Sequence, residues 1–131
     1  MATILVVEDD PISQLILSTQ LRQAEHTVVI ASSGKSAQTL LVEVDCDLMI
    51  VDKNLPDMDG LALLHQLREQ ADYVTLPVIM LTTSELAGDL NEARSTGANA
   101  FLVKPSSATD LLETINRLLS ARSDRTEETI P

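Results

Sequence analysis

Three carboxylates in a row, Glu8, Asp9 and Asp10, stand directly behind the apolar stretch LVV, and a fourth, Asp52, follows the apolar run LMIV. Neighbouring carboxylates repel and raise one another's pKa, so a cluster that stays ionised needs a cation among its oxygens. A hard divalent ion suits it. Mg2+, with Mn2+ as a substitute, takes oxygen donors in octahedral geometry, keeps several waters and combines one or two carboxylates with a phosphate oxygen. Asp9 and Asp52 are expected as direct ligands, Glu8 as a ligand through water, and the backbone carbonyl of Asn54 as a further donor. Lys104 adds a fixed positive charge and Thr82 a hydroxyl that can donate to an anionic oxygen. Together these groups can hold a metal and a tetrahedral anion. An aspartate so placed can attack phosphorus and become an acyl phosphate, with metal and lysine stabilising the transferring group. Asp52 is the expected nucleophile, because it caps the central strand while Glu8 and Asp9 flank it.

Such a cluster requires elements that end at one rim. Five short apolar runs rich in β-branched residues, 3–7, 27–31, 47–51, 77–81 and 99–103, read as strands. The first, third and fourth are unbroken rather than alternating, the pattern of parallel strands covered on both faces. Helix-period segments separate them. Residues 11–24 carry Ile12, Leu15, Ile16 and Leu21 behind a first-turn proline; residues 33–44 carry Ala37, Leu40, Leu41 and Val44; residues 61–69 carry Leu63, Leu64 and Leu67. A weaker helix falls within 84–96, with Leu86, Ala87, Leu90 and Ala93, and ends at Gly97. The last, 108–121, is amphipathic through Leu111, Leu112, Ile115, Leu118 and Leu119, and a polar, flexible tail is expected over 122–131. Alternating strands and helices give an α/β doubly wound, flavodoxin-like sheet of order 2-1-3-4-5 flanked by five helices. Its switch point lies between strands one and three at their carboxyl ends, where ligands bind. Residues 1–121 make one domain.

Composition narrows the function classes. The 131 residues are 44% hydrophobic, 22% charged and only 2% aromatic, so the core is aliphatic. A formal charge of −11 disfavours phosphate-backbone contacts, so no nucleic-acid binding is expected. No run approaches membrane-spanning length and no secretion signal opens the chain, which gives no membrane insertion and a cytoplasmic location. The lone Cys46 reads as a buried hydrophobe, Asp10 as a helix cap, Asp57 and Asp59 as turn and cap residues before Gly60, and His26 and His65 as surface residues.

The pieces LVVEDD, IVDKNLPDMDG, LTT and FLVKP, in that order and at these separations, resemble the receiver domains of two-component response regulators, of the stand-alone chemotaxis-regulator-like type. The resemblance spans residues 3–121. It implies Asp52 as phosphoacceptor, Glu8 and Asp9 as the acidic pair, the Asn54 carbonyl completing the Mg2+ site, Thr82 and Lys104 on the phosphoryl group, and a cis peptide before Pro105. It also implies that Phe101, on the fifth strand, switches inward as Thr82 moves; on the residues alone Phe101 is equally a core residue. Thr83 stands where the family usually has a smaller residue, and Lys53 and Asn54 flank the acceptor, so these three are expected to modulate the lifetime of the phospho-form. The partners implied are a sensor histidine kinase or His-phosphotransfer protein and a downstream target protein. The target is expected on the face of the fourth helix, fifth strand and fifth helix through Leu86, Leu90, Phe101, Ala108 and Leu111, with homodimerisation there as a further expectation. Such a chain catalyses only its own phosphoryl uptake and autodephosphorylation. Two rivals remain: an Mg2+-dependent phosphatase with an Asp nucleophile, against which Asn54 stands two residues after Asp52 in place of an acid, and an interaction module that works without phosphorylation.

Overall fold

In the computed structural model, which describes residues 1–83 and 87–128, the five apolar runs become one parallel sheet. Its strands are β1 (Thr3–Val7), β2 (Thr27–Ala31), β3 (Leu48–Asp52), β4 (Val78–Thr82) and β5 (Ala100–Val103), in the order β2-β1-β3-β4-β5. The helices are α1 (Pro11–Gln23), α2 (Gly34–Glu43), α3 (Gly60–Arg68), α4 (Ala87–Thr96) and α5 (Ala108–Glu128), with a short 3-10 turn at Ala71–Tyr73. β3 and β4 each end one residue later than the apolar pattern indicates, because Asp52 still pairs with Leu81 and Thr82 with Val103. Both polar residues are therefore held by sheet backbone, which fixes them more firmly than a loop would.

Strand residues alternate between two apolar clusters. On one face Leu5, Val7, Met49, Val51, Val78 and Met80 meet Ala37 and Leu41 of α2 and Leu63, Leu64 and Leu67 of α3. On the other, Ile4, Val6, Leu48, Ile50, Ile79 and Leu81 meet Leu17 and Leu21 of α1 and Leu111 and Ile115 of α5. Complete burial of each such Val, Leu, Ile or Met side chain is worth about 1.5–3 kcal/mol, so β1, β3 and β4 anchor both halves of the core. Cys46 is buried as expected, and burial pushes its thiol up.

Helix ends follow local chemistry. Asp10 caps α1 by accepting the Ser13 N–H at 2.9 Å, with Pro11 in the first turn. Ser33 forms a capping box with Ser36 at the start of α2, and Asp59 accepts the Leu61 N–H at 2.8 Å at the start of α3. The half-buried Arg68 guanidinium donates to the Gly97 carbonyl beyond α4 at 3.1 and 2.8 Å and to the Tyr73 carbonyl at 2.6 Å. It reaches Asn99 Oδ1 as well, the atom that accepts the Val78 N–H.

Two expectations change. α1 turns Leu17, Ser18 and Leu21 inward and leaves Ile12, Leu15 and Ile16 at 69%, 66% and 50% exposure, because the helix carries two apolar stripes and the sheet takes the one at i, i+4. α5 does not stop at Ala121 but continues to Glu128; Arg122 donates to the Asp47 carbonyl at 2.8 Å, and Arg and Glu are good helix formers. Among the expected positions of the fourth helix, Leu86 lies outside the described residues.

Candidate functional site

The carboxyl ends of β1, β3, β4 and β5 bring Glu8, Asp9, Asp52, Thr82, Thr83 and Lys104 to one rim, at the switch point between β1 and β3. Glu8 is fully buried, Asp52 and Thr82 are buried at 6% and 4% exposure, and Asp9 lies open at the mouth. One carboxylate oxygen from each of Glu8, Asp9 and Asp52 lies within 4.8 Å of the others. Lys104 donates to Asp52 Oδ2 at 2.8 Å and to Glu8 Oε1, which brings the far edge of the sheet to its centre. The peptide that follows Lys104, before Pro105, is cis.

Asp52 is held from both sides. Its Oδ1 accepts the Asn54 N–H at 3.0 Å while Lys104 occupies Oδ2. Lys53 to Asp59 forms a closed loop: the Gly60 N–H donates to the Lys53 carbonyl at 2.6 Å, Asn54 bridges to Asp59, and Lys53 Nζ lies 3.6 Å from Asp59 Oδ2. Only glycine fits at position 60, since a Cβ there would collide with the Asp52 carbonyl oxygen.

The charges are divided unevenly. Burial pushes the Glu8 carboxyl above its ordinary value, and the neighbouring Asp52 adds to this against the pull of Lys104. Burial also works to raise Asp52, but its contacts with Glu8, Lys104 and the Asn54 N–H outweigh it and hold the carboxyl below the usual aspartate value. For Lys104, burial works downward and the two carboxylates prevail, holding the ammonium above the usual lysine range. Asp52 thus combines a lowered pKa with two donors on its carboxylate, Lys104 and the Asn54 N–H. Its chemistry is that of a carboxylate nucleophile with a neighbouring positive charge. Three carboxylates facing a single ammonium leave an excess of negative charge, and an all-oxygen set fits a hard divalent cation rather than a soft one.

Phe101 is half-buried against the α2/α3-side core, and Arg94 of α4 stacks over its ring at 5.4 Å. Thr83 is exposed and lines a cleft of about 300 Å³ between α1 and the β5–α5 turn, with Ile16, Leu17, Gln20, Lys104 and Pro105. Neither this cleft nor the exposed stripe of α1 beside it is signalled by the sequence pattern, in which Ile12 and Leu15 are ordinary helical apolar positions. His65 is exposed, as expected, and pairs with Glu69 at 2.9 Å. His26 is half-buried instead, its Nδ1 accepting the Ala2 N–H at 3.2 Å.

A sequence profile of the response regulator receiver domain matches residues 4–116. Protein PilH of Pseudomonas aeruginosa is 32% identical over 92% of this chain and 99% of its own length. The chain also spans about half the length, 52% and 56%, of transcriptional regulators from Synechocystis and Escherichia coli to which it is 33% and 34% identical. Among solved structures, the chemotaxis response regulator CheY4 of Vibrio cholerae superposes with a TM-score of 0.85 at 32% identity, covering 90% of this chain and 98% of its own. The receiver domain of the Pseudomonas aeruginosa sensor histidine kinase PA1611, solved with a magnesium ion coordinated in its active site cleft, gives a TM-score of 0.84 at 28% identity over 91% and 98%.

Proposed function

This chain belongs to the response regulator receiver domain family of two-component systems, and from that premise we propose that it is a cytoplasmic, phosphorylation-controlled signalling switch whose acceptor is Asp52. One observation carries the reading: Asp52, buried at the end of the central strand, is gripped by Lys104 and the Asn54 N–H with Glu8 and Asp9 alongside. Glu8, Asp9, Asp52 and the Asn54 carbonyl would hold Mg2+, or Mn2+ in its place. Such a cation would supply positive charge to the acidic cluster and to a phosphoryl oxygen.

An Asp52 oxygen forms a bond to phosphorus as the P–N bond of a phosphohistidine breaks; the departing imidazole nitrogen takes its proton from solvent. A small acyl phosphate serves equally, leaving as its carboxylate. Lys104 then passes from the Asp52 carboxylate to the new phosphoryl group, and the Thr82 hydroxyl donates to it. The phosphoryl group brings a charge of about −1.5 to −2 and three acceptor oxygens, enough for several charge-assisted hydrogen bonds. Thr82 closes β4 and Lys104 follows β5, so the change reaches α4 and Phe101, whose ring lies under Arg94. The face of α4, β5 and α5 presents the result to a downstream protein or a second copy. Thr83, Lys53 and Asn54 border the acceptor and set how readily water removes the phosphoryl group.

The donor protein docks over α1. Ile12, Leu15 and Ile16 are exposed next to the cleft that opens at Lys104, so an apolar surface there lies within reach of Asp52. A sensor histidine kinase or a His-phosphotransfer protein is the donor this surface serves.

The test is stoichiometric. With acetyl phosphate and Mg2+ the protein takes up a single phosphoryl group, and Asp52→Asn takes up none. Steady turnover of a phosphomonoester over many equivalents would instead establish a phosphatase, and no uptake under any condition would leave an interaction module.

A further inference from the structure

Asp57 lies at the tip of the Lys53–Asp59 loop and points away from the acidic cluster, toward α2. Its Oδ1 accepts the Gly34 N–H at 2.8 Å and its Oδ2 the Lys35 N–H at 2.9 Å. These are the first two N–H groups of α2, which have no partner within the helix. The third, on Ser36, goes to the Ser33 hydroxyl at 3.1 Å, so the N-terminus of α2 is closed by two caps, one from its own flank and one from a loop 23 residues away. The paired N–H donors, with Lys35 nearby, hold the Asp57 carboxyl below the ordinary aspartate value. Beside it Met58 lies flat on Gly34, where a Cβ would meet its Sδ at 2.5 Å. The loop thus touches α2 twice in succession.

Ser33 alone is the cap that the sequence around α2 calls for, since a capping box forms without help from outside. The second carboxylate serves the loop. Between Asp52 and Gly60 the chain has two fixed ends: the Asn54 N–H on Asp52 Oδ1, and the Gly60 N–H on the Lys53 carbonyl. The turn between them is tied down at Asp57 and Met58. Loosening that tie leaves Asn54, one of the two donors to the Asp52 carboxylate, held through its bridge to Asp59 alone.

We propose that Asp57 is a positioning residue for the acceptor: by clamping its loop to the N-terminus of α2, it fixes Asn54 and thereby the orientation of Asp52 toward the cation and the phosphoryl donor. The proposal rests on the function assigned above.

Mg2+ affinity, measured by titration calorimetry on the full chain, separates positioning from capping. Asp57→Ala is expected to weaken Mg2+ binding by about 10-fold and to slow acetyl phosphate uptake by a similar factor, the lower end of the range that loss of a group orienting a metal ligand costs. Asp57→Asn, which keeps one acceptor for the same N–H groups, is expected to fall between Asp57→Ala and the native protein. Ser33→Ala removes the other cap of the same helix and is expected to lower the melting temperature while leaving Mg2+ affinity unchanged. Both arms are read below the melting temperature of every variant. If Asp57→Ala binds Mg2+ within twofold of the native protein, Asp57 is only a helix cap and the proposal is overturned while the acceptor assignment stands. The proposal is equally overturned if Ser33→Ala weakens Mg2+ binding as much as Asp57→Ala. If the native protein itself binds no Mg2+ and takes up no phosphoryl group, the acceptor assignment and the proposal fall together.

Discussion

Lys104 holds its ammonium between two buried carboxylates, and only 21% of its side chain reaches solvent. Removing one partner of such a group leaves uncompensated charge in a poorly solvated site, at a cost of about 3–5 kcal/mol for full burial. Lys104→Ala is therefore expected to destabilise the metal-free protein by about 3 kcal/mol, at the lower end of that range because Lys104 keeps some solvent. Urea titration checks this, and added Mg2+ should restore part of the loss by replacing the missing positive charge. His26 makes a different residue-scale prediction. Burial first, and then the nearby N-terminal ammonium, hold its imidazole below the ordinary histidine value of 6.5, while its Nδ1 accepts the Ala2 N–H in the neutral form. A base whose folded pKa is depressed stabilises the fold above its unfolded value, and that contribution disappears as pH falls through the folded value. Stability is thus expected to decline as pH falls below the 6.5 of an ordinary histidine, ahead of carboxylate titration, and His26→Gln should flatten this part of the curve in denaturant melts.

At the scale of elements, the donor surface proposed on α1 predicts a difference between two kinds of phosphodonor. Its inner stripe, Leu17 and Leu21, belongs to the core; its outer stripe, Ile12, Leu15 and Ile16, faces solvent. Leu15→Arg is expected to leave folding and acetyl phosphate uptake unchanged while slowing transfer from a phosphorylated histidine donor protein about tenfold or more, the equivalent of about 1.4 kcal/mol of lost contact. Quenched-flow transfer assays against both donors measure the ratio. The same helix shows how far local signals in a sequence reach. Strand order, the acidic rim and the caps at Asp10 and Asp59 follow from period, turn chemistry and charges placed at strand ends, all of them local signals. Which of two apolar stripes an α1 helix buries depends on the sheet beneath it. The Asp57 bonds to α2 and the Arg68 bonds to Gly97, Tyr73 and Asn99 join separate elements, and neither side chain differs locally from an ordinary turn aspartate or a last-turn arginine. Asp52 and Thr82 sit inside the strands because ladder pairing with Leu81 and Val103 continues past the end of the apolar run.

For the whole molecule, the central sheet brings Asp52 and Lys104 together at its rim, and the proposed function assigns the helices two separate surfaces: α1 toward a donor, and α4, β5 and α5 toward a target. No helix among the described residues is long and apolar enough to cross a membrane. The charge of −11 favours partners that approach with basic surfaces and makes their encounter rate fall with added salt. The proposed use of both surfaces depends on the rim working as one unit, in which Asp52 would become a nucleophile as Lys104, Asn54 and a bound cation share its charge. Mass spectrometry after brief exposure to acetyl phosphate tests it most directly, with peptide mapping of the adduct in excess Mg2+ and in excess chelator. The expected result is a single phosphoryl group, on Asp52, formed with Mg2+ and absent with chelator. An adduct on any other residue, or equal labelling of Asp52 with and without the metal, would contradict it.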